Sequence, residues 1–148
     1  MATTFPTAPT PLTARAPLSA RARLFANYRN LALWTFQGWV AMFFIAAGYG
    51  KMTESMDNLV ALMSWPALVS ESFVRGLGIA ELVLALGMLA PLVSWRIGRP
   101  LLMVSGLGLL TLESVMLGVH AMGQDVGLAL VNIVLLAITI PVLLGRRA

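Results

Sequence analysis

Four apolar stretches, at about 31–50, 72–92, 100–122 and 126–144, take up more than half of this 148-residue chain. Each holds about 19–23 residues, enough at about 1.5 Å per residue to cross a hydrocarbon layer about 30 Å thick. The strands of a membrane barrel would alternate apolar and polar residues, whereas these stretches run apolar without alternation. Charged residues are only 11% of the chain, against about 25% in a typical soluble domain. Such a chain cannot cover itself with a charged surface. The predicted fold is an all-α integral membrane protein, a bundle of four transmembrane helices.

The segments outside the spans differ from one another. Residues 1–30 hold Arg15, Arg21, Arg23 and Arg29, no acidic residue, and Pro6, Pro9, Pro11 and Pro17. The prolines prevent a long helix before Leu18. The segment has no apolar core and so is not a secretory signal, although an organellar transit peptide shares its Arg-rich, acid-poor composition. It is expected to be a flexible cytoplasmic tail with a short interfacial segment at 20–30, leaving 31–148 as the membrane domain. Residues 51–71 are too long for a tight turn and place Leu59, Leu62 and Met63 at helical spacing before Trp65 and Pro66. That pattern predicts a short helix lying in the membrane interface, in the first external loop. Residues 93–99 read as a basic turn and 123–125 as a shorter one.

Basic residues set the orientation. Four Arg lie in the tail, Arg96 and Arg99 in the 93–99 turn, and Arg146 and Arg147 at the C-terminus. The other side has Lys51 and Arg75 beside Glu54, Asp57, Glu71 and Asp125. An excess of Lys and Arg marks the cytoplasmic face, so both termini are expected there, in agreement with an even number of spans. The net charge of +4 belongs to this topology rather than to nucleic acid, because no basic stripe carries interleaved aromatic residues.

Several chemistries fail on inventory. There is no Cys and one His, which excludes disulfides, thiolate chemistry and a closed zinc site. Bis-His haem ligation is impossible within one chain, leaving His with Met or a His shared between subunits. No Glu-x-x-His motif of the di-iron bundles occurs. No metal site and no intrinsic cofactor are therefore expected. The nine Met are scattered, as core filler would be.

Ionisable residues inside a span are costly, usually face the bundle interior, and mark candidate sites. Here they are Arg75 and Glu81 in the second span and Glu113 and His120 in the third, joined by the polar Asn132 in the fourth and Gln37 in the first. Counted from the outer surface at about 1.5 Å per residue, Glu81 lies roughly 14 Å deep, Glu113 roughly 13 Å and Asn132 roughly 9 Å. Arg75, His120, Tyr49 and Lys51 lie near that surface, and Gln37 alone lies toward the cytoplasm. The polar groups are expected to gather in the outer half of the bundle. Glu113 and His120 are seven residues apart and share a helix face. Gly78 and Ala85 flank Glu81 at one-turn spacing, where small residues let another helix approach. A carboxylic acid in low dielectric can hold and pass on a proton, so Glu81, Glu113 and His120 are candidates for proton exchange. Lys51, Arg75, Asn132 and Tyr49 are candidates for ligand binding. Each also admits a structural reading: Glu81 and Glu113 as hydrogen-bonded buried acids, Asn132 as contact between helices, Lys51 and Arg75 as partners of headgroups or of the loop. Arg75 pairs more readily with Glu71 or across the bundle than with Glu81.

The sequence resembles the DoxX-like family of small four-helix bacterial membrane proteins over about residues 34–146. The features that carry this are AAGYGKM at the end of the first span, LVALMSWPALVSESFVRGLGIAELVLALGMLAPL through the loop and second span, His120, and the NIVLLAITIPVLLGR ending. The family's Gly-x-x-Lys turn and second-span acid map onto Gly48, Lys51 and Glu81, and Arg75, His120 and Asn132 match common residue types. Glu113 departs from the pattern, where an apolar residue is expected. The resemblance implies a location in the bacterial inner membrane and an association with quinol oxidase or thiosulfate:quinone oxidoreductase systems.

Three functions follow as expectations, and whether the chain is itself an enzyme stays open. The first is a membrane subunit of a quinone-linked redox system, binding a quinone or quinol and exchanging protons, with a partner that carries electrons. The second is a scaffold, in a larger membrane complex or a homo-oligomer, whose glycine-rich faces contact a partner. The third is a carrier of a small amphiphile or of protons. The lipid bilayer is a partner in all three.

Overall fold

The computed structural model describes residues 19–147, and the tail before Ser19 lies outside the described residues. The described residues form five α-helices, with no strand among them. α1 (Ala20–Thr53), α3 (Glu71–Leu89, prolonged by a 3-10 turn at Ala90–Leu92), α4 (Trp95–Met122) and α5 (Val126–Arg146) are each long and apolar enough to cross a membrane. α2 (Met56–Met63) and a 3-10 turn (Trp65–Leu68) fill the connection between α1 and α3.

Helix starts follow local chemistry. Ser19, Ser55, Ser70 and Asp125 precede α1, α2, α3 and α5 and each accepts a hydrogen bond from a backbone N–H of the first turn, as N-caps do. α1 starts well before the expected span at 31–50. No proline follows Pro17 until Pro66, Ser19 supplies the cap, and Ala, Arg and Leu favour helix. Residues 20–30, expected as a short interfacial segment, are therefore helix continuous with the span. At 34 residues, α1 is about 51 Å long, well beyond a hydrocarbon core of about 30 Å.

α4 likewise starts at Trp95 rather than Pro100. Arg96 and Arg99 lie on its first turns, so the turn shrinks to Val93 and Ser94 and its basic residues belong to the helix. Pro100 sits inside the helix, where it lacks only the N–H that Arg96's carbonyl would accept. Ser64, at φ 60° and ψ −48°, ends α2 and turns the chain into the 3-10 segment, where Pro66 follows.

The four long helices run alternately up and down. Gln37 meets Met88, Lys51 meets Arg75, Glu113 meets Thr139, and Asn30 meets Arg146. α1 packs most closely on α3, α3 on α4, α4 on α5, and α5 returns to α1, closing a ring. The core is apolar, built from Val40, Phe44, Ala85, Met88, Leu102, Leu109, Leu135 and Val142. The opposite faces are apolar too: Val83 is 61% exposed, Val104 67% and Val134 59%. Water would oppose such faces around the whole bundle, whereas lipid solvates them. The chain is a multi-pass membrane protein.

Candidate functional site

On each long helix most buried positions recur every three or four residues, and the buried polar residues of the spans fall on these stripes. They are Gln37 and Lys51 on α1, Glu81 on α3, Ser105, Glu113 and His120 on α4, and Asn132, Thr139 and Arg146 on α5. All are less than 9% exposed. The same seven-residue step that relates Glu113 to His120 relates Asn132 to Thr139 and Thr139 to Arg146. Neither Thr139 nor Arg146 stood out as a site residue in the sequence, although this spacing carried the signal.

The α1–α3 crossing is set by two glycines. A Cβ on Gly48 would lie 2.6 Å from the Gly78 carbonyl oxygen, and a Cβ on Gly78 would lie 2.8 Å from that of Gly48. The backbones therefore touch. A helical side chain leans toward its own N-terminus, so in antiparallel helices Lys51 and Glu81 lean toward each other across this contact. Lys51 Nζ donates to Glu81 Oε1 at 2.9 Å and to Oε2 at 2.7 Å, with both side chains almost wholly buried. Arg75 sits outside this pair. It donates to the backbone carbonyl of Lys51 at 2.5 Å and forms an ion pair with Glu71 at 3.0 Å.

Glu113 has a different environment. It is fully buried, and its Oε1 accepts a hydrogen bond from the Thr139 hydroxyl at 2.8 Å. Its Oε2 has no partner. Among the described residues no basic group lies within ion-pair distance of it.

A cavity of about 110 Å³ brings Lys51, Glu81, Glu113, His120 and Asn132 together, walled by Phe43, Phe44, Trp65, Leu112 and Met116. Asn132 spends one amide N–H on the Leu128 carbonyl at 2.9 Å. His120 also borders a wider space of about 460 Å³ at the loop end of the bundle, beside Asp125, Met63 and Trp65. Phe43 and Val131 border a third space, an apolar groove of about 330 Å³ between α1 and α5. The polar chamber thus adjoins a loop-end vestibule on one side and an apolar groove on the other.

Two of the expected binding residues are not in the chamber. Tyr49 is 63% exposed on the outward face of α1, and Arg75 is held by Glu71 and the Lys51 carbonyl. Gln37 lies in the other half of the bundle, donating to the Met88 carbonyl at 2.7 Å. Among the described residues no group of three or more His, Cys, Asp or Glu is placed to hold a metal ion.

A second polar cluster closes the opposite end. The Arg146 guanidinium lies over the rings of Trp34 at 4.5 Å and Trp95 at 5.3 Å and donates to Asn30 Oδ1 at 2.9 Å. Arg99 donates to the backbone carbonyls of Arg146 and Arg147 at the C-terminus of α5.

The model of the DoxX-like family matches residues 35–142, from the first span nearly to the end of the last. The chain belongs to the DoxX-like family. Comparison with curated proteins and with solved structures gives no match. The family match takes in every chamber residue named above, and Arg146 falls just beyond it.

Proposed function

We propose that this DoxX-like protein is a small membrane subunit associated with a quinone-linked redox system, and that its chamber takes the head ring of a quinone or quinol. The observation that carries the reading is Glu113: a buried carboxyl group with one oxygen unpartnered at the wall of a chamber beside His120. An unpartnered buried polar atom is costly unless a ligand or proton completes it. An engineered apolar cavity of about 150 Å³ accepts benzene, so a chamber of about 110 Å³ needs only slight adjustment for one ring. The groove beside Phe43 and Val131 offers the tail a path to lipid.

In this reading Glu113 exchanges a proton with the bound head, and His120 passes it to the vestibule. Glu81 positions Lys51 and is not the proton carrier, because both its oxygens are engaged. No redox cofactor is proposed within the chain, so electrons come from a partner. Both termini face the cytoplasm of the bacterial inner membrane, and α2 lies in the outer interface. The test is gentle purification followed by lipid extraction. One quinone per chain, lost in Glu113→Gln and kept in Tyr49→Phe, is the expected result. Absence of quinone from the wild type, with its partner chains still attached, overturns the reading.

A scaffold role is the second reading. Of the glycines that could serve helix contacts, Gly78, Gly87, Gly106 and Gly108 already touch neighbours within the chain, while Gly76 and Gly118 face open space. Those two would be the contact points for a partner helix.

A further inference from the structure

The chamber encloses one carboxyl group that nothing basic balances. Among the described residues Lys51 is the only basic side chain other than His120 on its wall, and both Glu81 oxygens engage it at 2.9 and 2.7 Å. That pair is neutral as a unit. Glu113 is fully buried with Oε2 unpartnered. A carboxylate in such surroundings either carries a proton or meets a cation.

We infer that the chamber binds a small organic monocation carried on a single apolar chain, with the charged head against Glu113 and the chain leaving between α1 and α5. This does not rest on the quinone reading. Three aromatic side chains, Phe43, Phe44 and Trp65, share the chamber wall with Glu113, and ring faces attract alkylammonium groups. A bare metal ion is a poor fit, because such ions need about six oxygen ligands and no metal-binding group of acidic or His residues exists among the described residues. The volume of about 110 Å³ suits a methylated ammonium head. The apolar groove of about 330 Å³ shares Phe43 and Val131 with the chamber, which places an apolar seat for the chain directly beside it. Binding exchanges one positive charge for another: the Glu113 O–H bond breaks, the proton leaves to water, and the cation takes its place.

The groups that face Glu113 are Lys51 from α1, Glu81 from α3, His120 from its own helix, and Thr139 and Asn132 from α5. Lys51 and Glu81 hold each other, so the exchange is assigned to Glu113. The experiment is calorimetric titration of the full chain in maltoside micelles with hexyltrimethylammonium, at several pH values and in buffers of different ionisation heat. One saturable site is expected, with up to one proton released per cation. Affinity should tighten by up to tenfold per pH unit as long as Glu113 carries its proton. Hexanol and hexyl sulfate, with the same chain, should not saturate a site in the wild type, and Glu113→Gln should weaken cation binding at least tenfold. No saturable binding by the wild type, equal binding of the uncharged or anionic probe, or unchanged affinity in Glu113→Gln overturns the inference. The probe comparison uses the wild type alone and decides the matter even if the variant fails to fold.

Discussion

Lys51 and Glu81 form their buried ion pair directly beside the contact of Gly48 with Gly78, and that contact is what allows them to meet. Removing one partner leaves a buried charge without compensation, which costs about 3–5 kcal/mol. Lys51→Ala and Glu81→Ala should therefore each lower the unfolding midpoint sharply in detergent. The double variant Lys51→Met with Glu81→Leu should be more stable than either single variant, because an apolar pair of similar volume needs no compensation. A double variant as unstable as the singles would mean that the pair contributes more than mutual neutralisation.

The glycine contact itself gives a second expectation. A methyl group on Gly48 would lie 2.6 Å from a backbone oxygen, so Gly48→Ala must push α1 and α3 apart. Overpacking of this kind costs roughly 1–3 kcal/mol. Gly76→Ala is the control, since nothing lies within 4 Å of its added Cβ. It should be neutral or stabilising by up to about 1 kcal/mol through helix propensity. Thermal unfolding of both variants in the same detergent checks the difference.

The two buried acids should separate in their effects. Glu81→Gln disturbs an ion pair, so it should reduce stability and yield while any folded protein keeps its ligand. Glu113→Gln keeps the shape and can still accept from Thr139, so it should cost at most about 1–2 kcal/mol in stability. Its effect should instead fall on ligand retention. Thr139→Val removes the one hydrogen bond to Glu113 and should cost about 1–3 kcal/mol. Unfolding midpoints set beside bound-ligand content distinguish these roles. Ligand loss in Glu81→Gln with Glu113→Gln unaffected would reverse the assignment.

Much of this arrangement is written in the sequence as spacing. The four apolar runs specify the helices, and Glu113 and His120, seven apart, do share a buried face. The small residues around Glu81 do admit a neighbouring helix. What spacing cannot supply is the partner across the bundle. Lys51 near a helix end looks like a headgroup contact until the antiparallel crossing turns its side chain inward. Thr139 looks like one more helical Thr until it is found opposite Glu113. Helix ends are less legible: the apolar run begins near Pro100, while the chain is already helical from Trp95, through the basic residues Arg96 and Arg99.

The far end of the bundle supplies the last prediction. Arg146 is 6% exposed and sits against two indole rings, while its Nε and Nη2 have no hydrogen-bond acceptor. The faces of Trp34 and Trp95 attract its charge instead, which ties α5 to α1 and α4 through one cation. A lysine has no plane to stack and presents a compact charge, so Arg146→Lys should not restore the contact. A desolvated cation–π contact contributes about 2 kcal/mol. Arg146→Lys and Trp34→Leu should each lose about that much, and the double variant should lose less than the sum, since both remove the same contact. Additive losses in a double-mutant cycle of unfolding free energies would show that Arg146 and Trp34 act independently, with the Asn30 hydrogen bond then holding the end of α5 in place of the ring.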